Sequence, residues 1–132
     1  MYLLDTNILG YFFQRQGGVA ERIYAHPPQL LYVPSVAILE IEFGLGASSR
    51  PGKYRTQLDW VLNNFRIADL DAEAAQAAGH LRHVLEKADT PIGTYDLLIA
   101  GIALARHLIV VTRNPREFER VPGLRVENWH DA

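Results

Sequence analysis

The stretch from Ile92 to Asn114 constrains this chain more than any other. It opens on Ile92-Gly-Thr-Tyr-Asp96, runs through almost wholly apolar residues to Arg106-His107, and then reads Leu-Ile-Val-Val-Thr112-Arg-Asn114. Thr94 is a good helix N-cap, and the residues from Tyr95 to His107 contain no proline and a single glycine, so a helix is predicted there. Leu108–Val111 is short, apolar and β-branched, the pattern of a strand buried on both faces of a parallel sheet. Within this unit Asp96 is out of character. A carboxylate in a first helical turn complements the helix dipole, worth about 0.3–1 kcal/mol. The other reading is that it faces a site shared with an acid from elsewhere, and Asp5 is available.

The rest of the chain alternates in the same way. Met1–Leu4 is an apolar run ending in Asp5-Thr6-Asn7, three residues suited to capping the helix that Ile8–Phe13 begins. Gly17-Gly18 breaks that helix, and Val19–Ala25 forms a short one before His26-Pro27-Pro28. Leu30–Val33 is a second strand. Leu39–Phe43 alternates like a strand, but Pro34-Ser35 cannot make a two-residue hairpin turn, so a helix capped by Ser35 is favoured over Val36–Ala47. It places Glu40 on a face with Val36, Phe43, Gly44 and Ala47, either as a partly solvated acid or as one aimed into a cleft. Ser48–Gly52 is a linker to a helix over Tyr54–Asn64, followed by a weak strand at Arg66–Leu70. A long helix capped by Asp71, with Glu73 in its first turn, runs to Lys87. Arg116–Arg120 makes a turn, and Leu124–Val126 a last strand. Strands alternating with helices call for a mostly parallel sheet of about five strands covered on both faces, in one domain over residues 1–132.

Such sheets bind ligands at the carboxyl ends of their strands. Asp5 ends the first strand and Thr112-Arg113-Asn114 follows the fourth. Asp96 reaches the same edge only if the Leu85–Tyr95 segment carries the chain there.

Composition narrows the chemistry. There is no cysteine, which excludes disulfides and cysteine–zinc sites, and a cytoplasmic location is expected. No run is long enough to span a bilayer, and no signal-peptide pattern opens the chain. The formal net charge of −2 argues against broad attraction to nucleic acid, so any polyanion must be gripped locally. Arg113, Arg116 and Arg120 beside the fourth strand, or Arg50, Lys53 and Arg55 near the linker, are the candidate grips; a solvated face is the alternative for both. His80 and His83 share a helix face without a neighbouring catalytic acid, and no nucleophile elbow or Walker-type loop is present. An Asp-x-Asp phosphotransferase would need an acid where Asn7 stands, and a receiver-like domain a lysine that neither Lys53 nor Lys87 provides. Tyr11, Phe12 and Phe13 are consecutive, so one helix face cannot bury all three; at least one is then free for a dimer or antitoxin contact, with a broad core as the commoner explanation.

Asp5, Glu40 and Asp96, with Asn114 beside them, make an oxygen-rich set from four segments. Crowded carboxylates raise one another's pKa unless a cation is present, and a hard divalent ion suits such donors. Scattered caps and surface acids are the competing explanation.

The order of motifs along the whole chain resembles the PIN-domain ribonucleases, and more narrowly the VapC toxins of bacterial toxin–antitoxin pairs. The resemblance lies in Asp5-Thr6-Asn7, Glu40-Ile-x-x-Gly44, Asp96-x-x-Ile99-Ala100 with Ala103, Val111-Thr-x-Asn114-x-x-x-Phe118, Pro122-Gly-Leu-x-Val126 and Trp129. It implies an α/β/α sandwich with Mg²⁺-dependent endoribonuclease activity, Mn²⁺ substituting, on a structured RNA such as tRNA or rRNA. It also implies a homodimer and a VapB-like antitoxin, the two forming a heterotetramer or larger assembly. Carried onto this sequence, Asp5 and Asp96 are the principal metal ligands and Glu40 the third acid, with Thr6, Asn7 and Thr112 as polar supports. Apart from the resemblance, Arg113 and Arg116 are the preferred substrate contacts because their cluster adjoins these acids. Asn114 departs from the pattern, since many PIN domains carry a fourth acid there. Glu117, one turn further on, is a possible replacement, or simply a solvated acid. The rival function is a PIN-like module that binds RNA or a partner without cutting.

Overall fold

A computed structural model of the chain describes residues 1–131. Five strands form one sheet: β1 (Tyr2–Leu4), β2 (Leu31–Pro34), β3 (Arg66–Ala68), β4 (Ile109–Val111) and β5 (Val126–Glu127). Their order is β3-β2-β1-β4-β5 and every pairing is parallel. β1 thus lies at the centre, with Leu3 opposite Val110 and Leu4 opposite Val111.

Strand side chains alternate between faces, and the two cores divide accordingly. Leu4, Leu31, Val33 and Val111 pack with Ile8, Phe12, Ile23, Ala37, Leu58, Val61 and Trp129. This is the face covered by α1 (Thr6–Gln14), α2 (Val19–Tyr24), α3 (Ser35–Ala47) and α4 (Pro51–Asn64). Leu3 and Val110 point the other way, onto Leu81, Leu85, Ile99, Ile102 and Phe118, under α5 (Ala72–Lys87) and α6 (Thr94–Arg106). The result is the expected three-layer α/β/α sandwich.

The predicted elements are all present, with shifted ends. Ser35 does not cap α3: its hydroxyl accepts from the Leu70 N–H at 3.0 Å, tying the end of β2 to the chain leaving β3. Thr94 is the first residue of α6 rather than its cap, which is Gly93. Asp71 does cap α5, accepting from the Ala74 N–H at 2.9 Å. The face predicted for α3 is not uniformly covered, because Val36 is buried whereas Phe43 is 81% exposed. Phe12 and Phe13 are both buried and Tyr11 is half-buried, so a broad core takes up most of this run.

One arrangement decides where the site lies. α5 and α6 form an antiparallel hairpin, with the Arg106 guanidinium pairing with Asp71 at one end. At the other end the chain turns through 88–93 and α6 begins beside the loop that follows β4, where the Gly93 N–H donates to Glu117. The start of α6 therefore reaches the carboxyl edge of the sheet, which was the condition for Asp96 to meet Asp5.

Candidate active site

Asp5 is placed by two elements at once. Its N–H donates to the Val111 carbonyl at 3.1 Å, which fixes it at the end of the central strand. Its Oδ1 accepts from the Ile8 N–H at 2.8 Å, capping α1. Capping occupies one oxygen and leaves the other for a ligand. Asp5 is only 4% exposed. Burial pushes its carboxyl from the ordinary 3.8 up to about 6, against the hydrogen bonds from Thr112 and Ile8, and the Glu40 charge adds to the rise. Thr112 is itself buried, and its hydroxyl accepts from the Asn114 N–H at 3.1 Å, which leaves its proton for Asp5.

Asp96 enters the same cleft from the first turn of α6. Burial most of all, then the hydrogen bond and charge of Glu117, then the charges of Asp5 and Glu40, raise its pKa to about 7. Glu117 moves the other way, held low by Asp96, by the Gly93 N–H and by Arg120. The two carboxyls act on each other, and their shifts run in opposite directions. Glu117 was left open in the sequence as a solvated acid; the structure turns it onto Asp96. Its signal was only its spacing, one turn beyond Asn114.

Glu40 stands at the shoulder of this cleft. Its Oε1 accepts from the Thr6 hydroxyl at 2.6 Å, and the two line a neighbouring groove of about 430 Å³ between α1 and α3. The acid cleft itself, about 670 Å³, is lined by Asp5, Asp96, Thr112, Asn114, Arg116 and Glu117 among others. Asn7 is exposed and lines both. Asn114 is at the rim, its side chain exposed.

The arginines divide. Arg113 and Arg116 line the acid cleft. Arg120 is spent on the Pro91 carbonyl, at 2.7 Å, bracing the turn before α6. Near the linker, Arg55 is committed to Glu42, joining α3 to α4. His80 and His83 are exposed on α5.

The cleft suits a hard cation by donor chemistry. All its ligand atoms are oxygen, and no lysine or arginine among the described residues pairs with Asp5 or Asp96. The carboxylates do not yet converge on one point, however, and no three form a ready-made cage among the described residues. The reason is visible: Glu40 is turned to Thr6, and Asp96 and Glu117 to each other.

The geometry has counterparts of known class. The profile of the PIN domain matches residues 2–124. The tRNA(fMet)-specific endonuclease VapC of Salmonella typhimurium is 33% identical over 129 residues, 97% of each chain. The enzyme of the same name from Shigella flexneri is 36% identical over 129 residues, again 97% of each. The crystal structure of VapBC2 from Rickettsia felis, bound to a DNA fragment from its promoter, contains a chain that matches with a TM-score of 0.89 at 32% identity. That match covers 97% of this chain and 98% of the other. The chain belongs to the PIN domain family, and within it to the VapC proteins.

Proposed function

We propose that the protein is a divalent-metal-dependent endoribonuclease, the toxin of a toxin–antitoxin pair, working in the cytoplasm on a structured RNA such as a tRNA. The observation that supports this best is the meeting of Asp5 and Asp96, 91 positions apart in sequence, in one cleft where burial holds both above the usual carboxylate range. Acids kept in that state without a basic partner are suited to a cation. The VapC relatives are named as ribonucleases, two of them specific for tRNA(fMet), which favours a tRNA substrate here.

Asp5 and Asp96 would hold Mg²⁺, or Mn²⁺ in its place, with Glu40 and Glu117 as the flanking acids. The ion would supply activation of a water and charge for the leaving oxygen of a phosphodiester. The protein's own residues prepare the site. The Ile8 N–H and Thr112 hydroxyl orient Asp5, Thr6 holds Glu40, and Asn7 lines both cleft and groove. Glu117 is the fourth acid in place of Asn114, whose amide is left to contact substrate at the rim. Arg113 and Arg116 would take the RNA phosphates on one wall. The inhibitor would be a VapB-like antitoxin, as in the VapBC complexes of Rickettsia felis and Salmonella typhimurium, with a toxin homodimer at the centre of a heterotetramer or larger assembly.

The direct test is cleavage of initiator tRNA against Mg²⁺ and Mn²⁺ concentration by the parent, Asp5→Asn and Asp96→Asn proteins. Both variants should lose cleavage while melting as folded proteins. Undiminished cleavage by both would remove the assignment of these acids.

A further inference from the structure

Arg113 is exposed, yet it is not free. Its guanidinium carbon lies 5.3 Å from the centre of the Tyr11 ring, and its Nη1 donates to the Tyr11 hydroxyl at 3.3 Å. Tyr11 stands one turn along α1 from Asn7, so the helix that Asp5 caps also carries a prop for Arg113. The far edge of Tyr11 is held by His130, with ring centres 4.7 Å apart at 66°.

The segment that follows β5 is organised around this contact. The His130 carbonyl accepts from the Gly18 N–H at 3.0 Å, its N–H donates to Asn128 Oδ1 at 2.9 Å, and its Nδ1 pairs with Asp131 at 2.9 Å. Asn128 Nδ2 donates to Asp131 at 3.0 Å and reaches the Arg113 carbonyl at 3.5 Å. Gly17 shows how closely the segment is laid down. Its φ is +61°, and a Cβ there would meet the His130 carbonyl oxygen at 2.7 Å.

We propose that Tyr11 is a positioning residue for RNA: it holds the Arg113 guanidinium beside the acid cleft, and the Asn128–Asp131 segment locks Tyr11 in place. The proposal rests on the reading of Arg113 as a phosphate contact. A free arginine gives up rotamer freedom when it grips a phosphate, whereas one already propped on a ring and a hydroxyl gives up less. The planar guanidinium also keeps donors available while one of its nitrogens is engaged by Tyr11.

The experiment measures binding of an initiator tRNA transcript across a salt series, in the Asp5→Asn protein so that the RNA stays intact. Tyr11→Phe keeps the ring and removes the hydroxyl; Tyr11→Leu removes both. Each is combined with Arg113→Ala, and thermal melting accompanies every variant. Arg113→Ala should weaken binding and lower the slope of log affinity against log salt by somewhat under one, as for one lost phosphate contact. Tyr11→Leu should weaken binding several-fold and Tyr11→Phe less, and both effects should vanish once Arg113 is Ala. With Asp5 restored, KM for cleavage should rise more than kcat falls, and the Tyr11→Phe protein should melt like its parent. A Tyr11 effect that persists undiminished in the Arg113→Ala protein would overturn the proposal, as would parent-like binding by both Tyr11 variants when Arg113→Ala binds weakly. If Arg113→Ala itself changes neither affinity nor slope, the phosphate-contact reading of Arg113 fails, and the positioning role falls with it.

Discussion

Asp5 carries two tasks that pull against each other. As a helix cap and strand terminus it must sit in the core; as a ligand it must be charged. Because burial raises its pKa from 3.8 to about 6, the folded metal-free protein holds that proton more tightly than the unfolded chain does. This group therefore opposes folding progressively as pH rises from about 4 through 6, by roughly 3 kcal/mol at neutral pH. Asp96, raised to about 7, extends the same trend upward. Metal-free protein should accordingly lose stability between pH 4 and 7 by urea denaturation, Asp5→Asn should flatten part of that loss, and saturating Mg²⁺ should do the same in the parent. A parent whose stability rises over that interval, unchanged by Asp5→Asn, would contradict this electrostatic account. The neighbouring acids give a second comparison. Glu117 interacts directly with Asp96, whereas the Asn114 side chain stands exposed at the rim. Glu117→Gln should cut metal affinity or cleavage about 10–100-fold, as loss of an orienting partner does, and Asn114→Ala should cost much less. Equal losses in a cleavage assay would return Asn114 to the rank that the motif pattern suggested for it.

At the scale of elements, the sequence was legible wherever periodicity and turn chemistry agreed. The buried run Leu108–Val111 and the alanine-rich helix after Asp71 are both found close to their predicted bounds. α3 required a choice, because Leu39–Phe43 alternates like a strand; the lack of a hairpin turn at Pro34-Ser35 gave the right answer, a helix. The capping roles of Ser35 and Thr94 were not legible. A hydroxyl at a helix start has several possible partners, and for Ser35 the partner is Leu70, which only the sheet brings near. The α5–α6 hairpin was equally hidden, since it depends on how closely two helices approach. Gly101 marks that closeness. A Cβ there would lie 2.7 Å from the Ala78 Cβ and 2.8 Å from the Ala74 carbonyl oxygen. Gly101→Ala should therefore destabilise the protein by about 1–3 kcal/mol through overpacking, even though alanine is intrinsically the better helix former. Chemical denaturation measures this directly. Unchanged stability would mean that the helices part easily, and a shift at Asp96 would then be expected in the cleavage rate.

Across the whole molecule, the site exists because the topology brings one sheet edge together from distant segments. The central strand supplies Asp5, its neighbour β4 the loop with Arg113 and Glu117, and the hairpin delivers Asp96. Motif order along the chain put three acids in one set; Asp5 and Asp96 line one cleft, whereas Glu40 leans into the adjoining groove toward Thr6, which motif order could not show. Cleft and groove share Asn7 as a lining residue, so a single partner could cover both. With a net charge of only −2 the molecule offers no broad attraction to a partner, and the carboxylates gathered in this cleft supply a local negative field once ionised. An antitoxin arginine suits that field: its planar fork pairs with two carboxylate oxygens and stays charged at any physiological pH. An apolar helix of the same partner would fit the groove beside it, where Phe13, Ile41 and Leu45 contribute to the wall. Arginine and metal would then compete for the same acids. Raising Mg²⁺ should weaken inhibition of RNA cleavage, and the Asp5→Asn/Asp96→Asn protein should bind the antitoxin less tightly in calorimetric titration. If inhibition works by covering the RNA path alone, antitoxin affinity will respond neither to Mg²⁺ nor to those two substitutions.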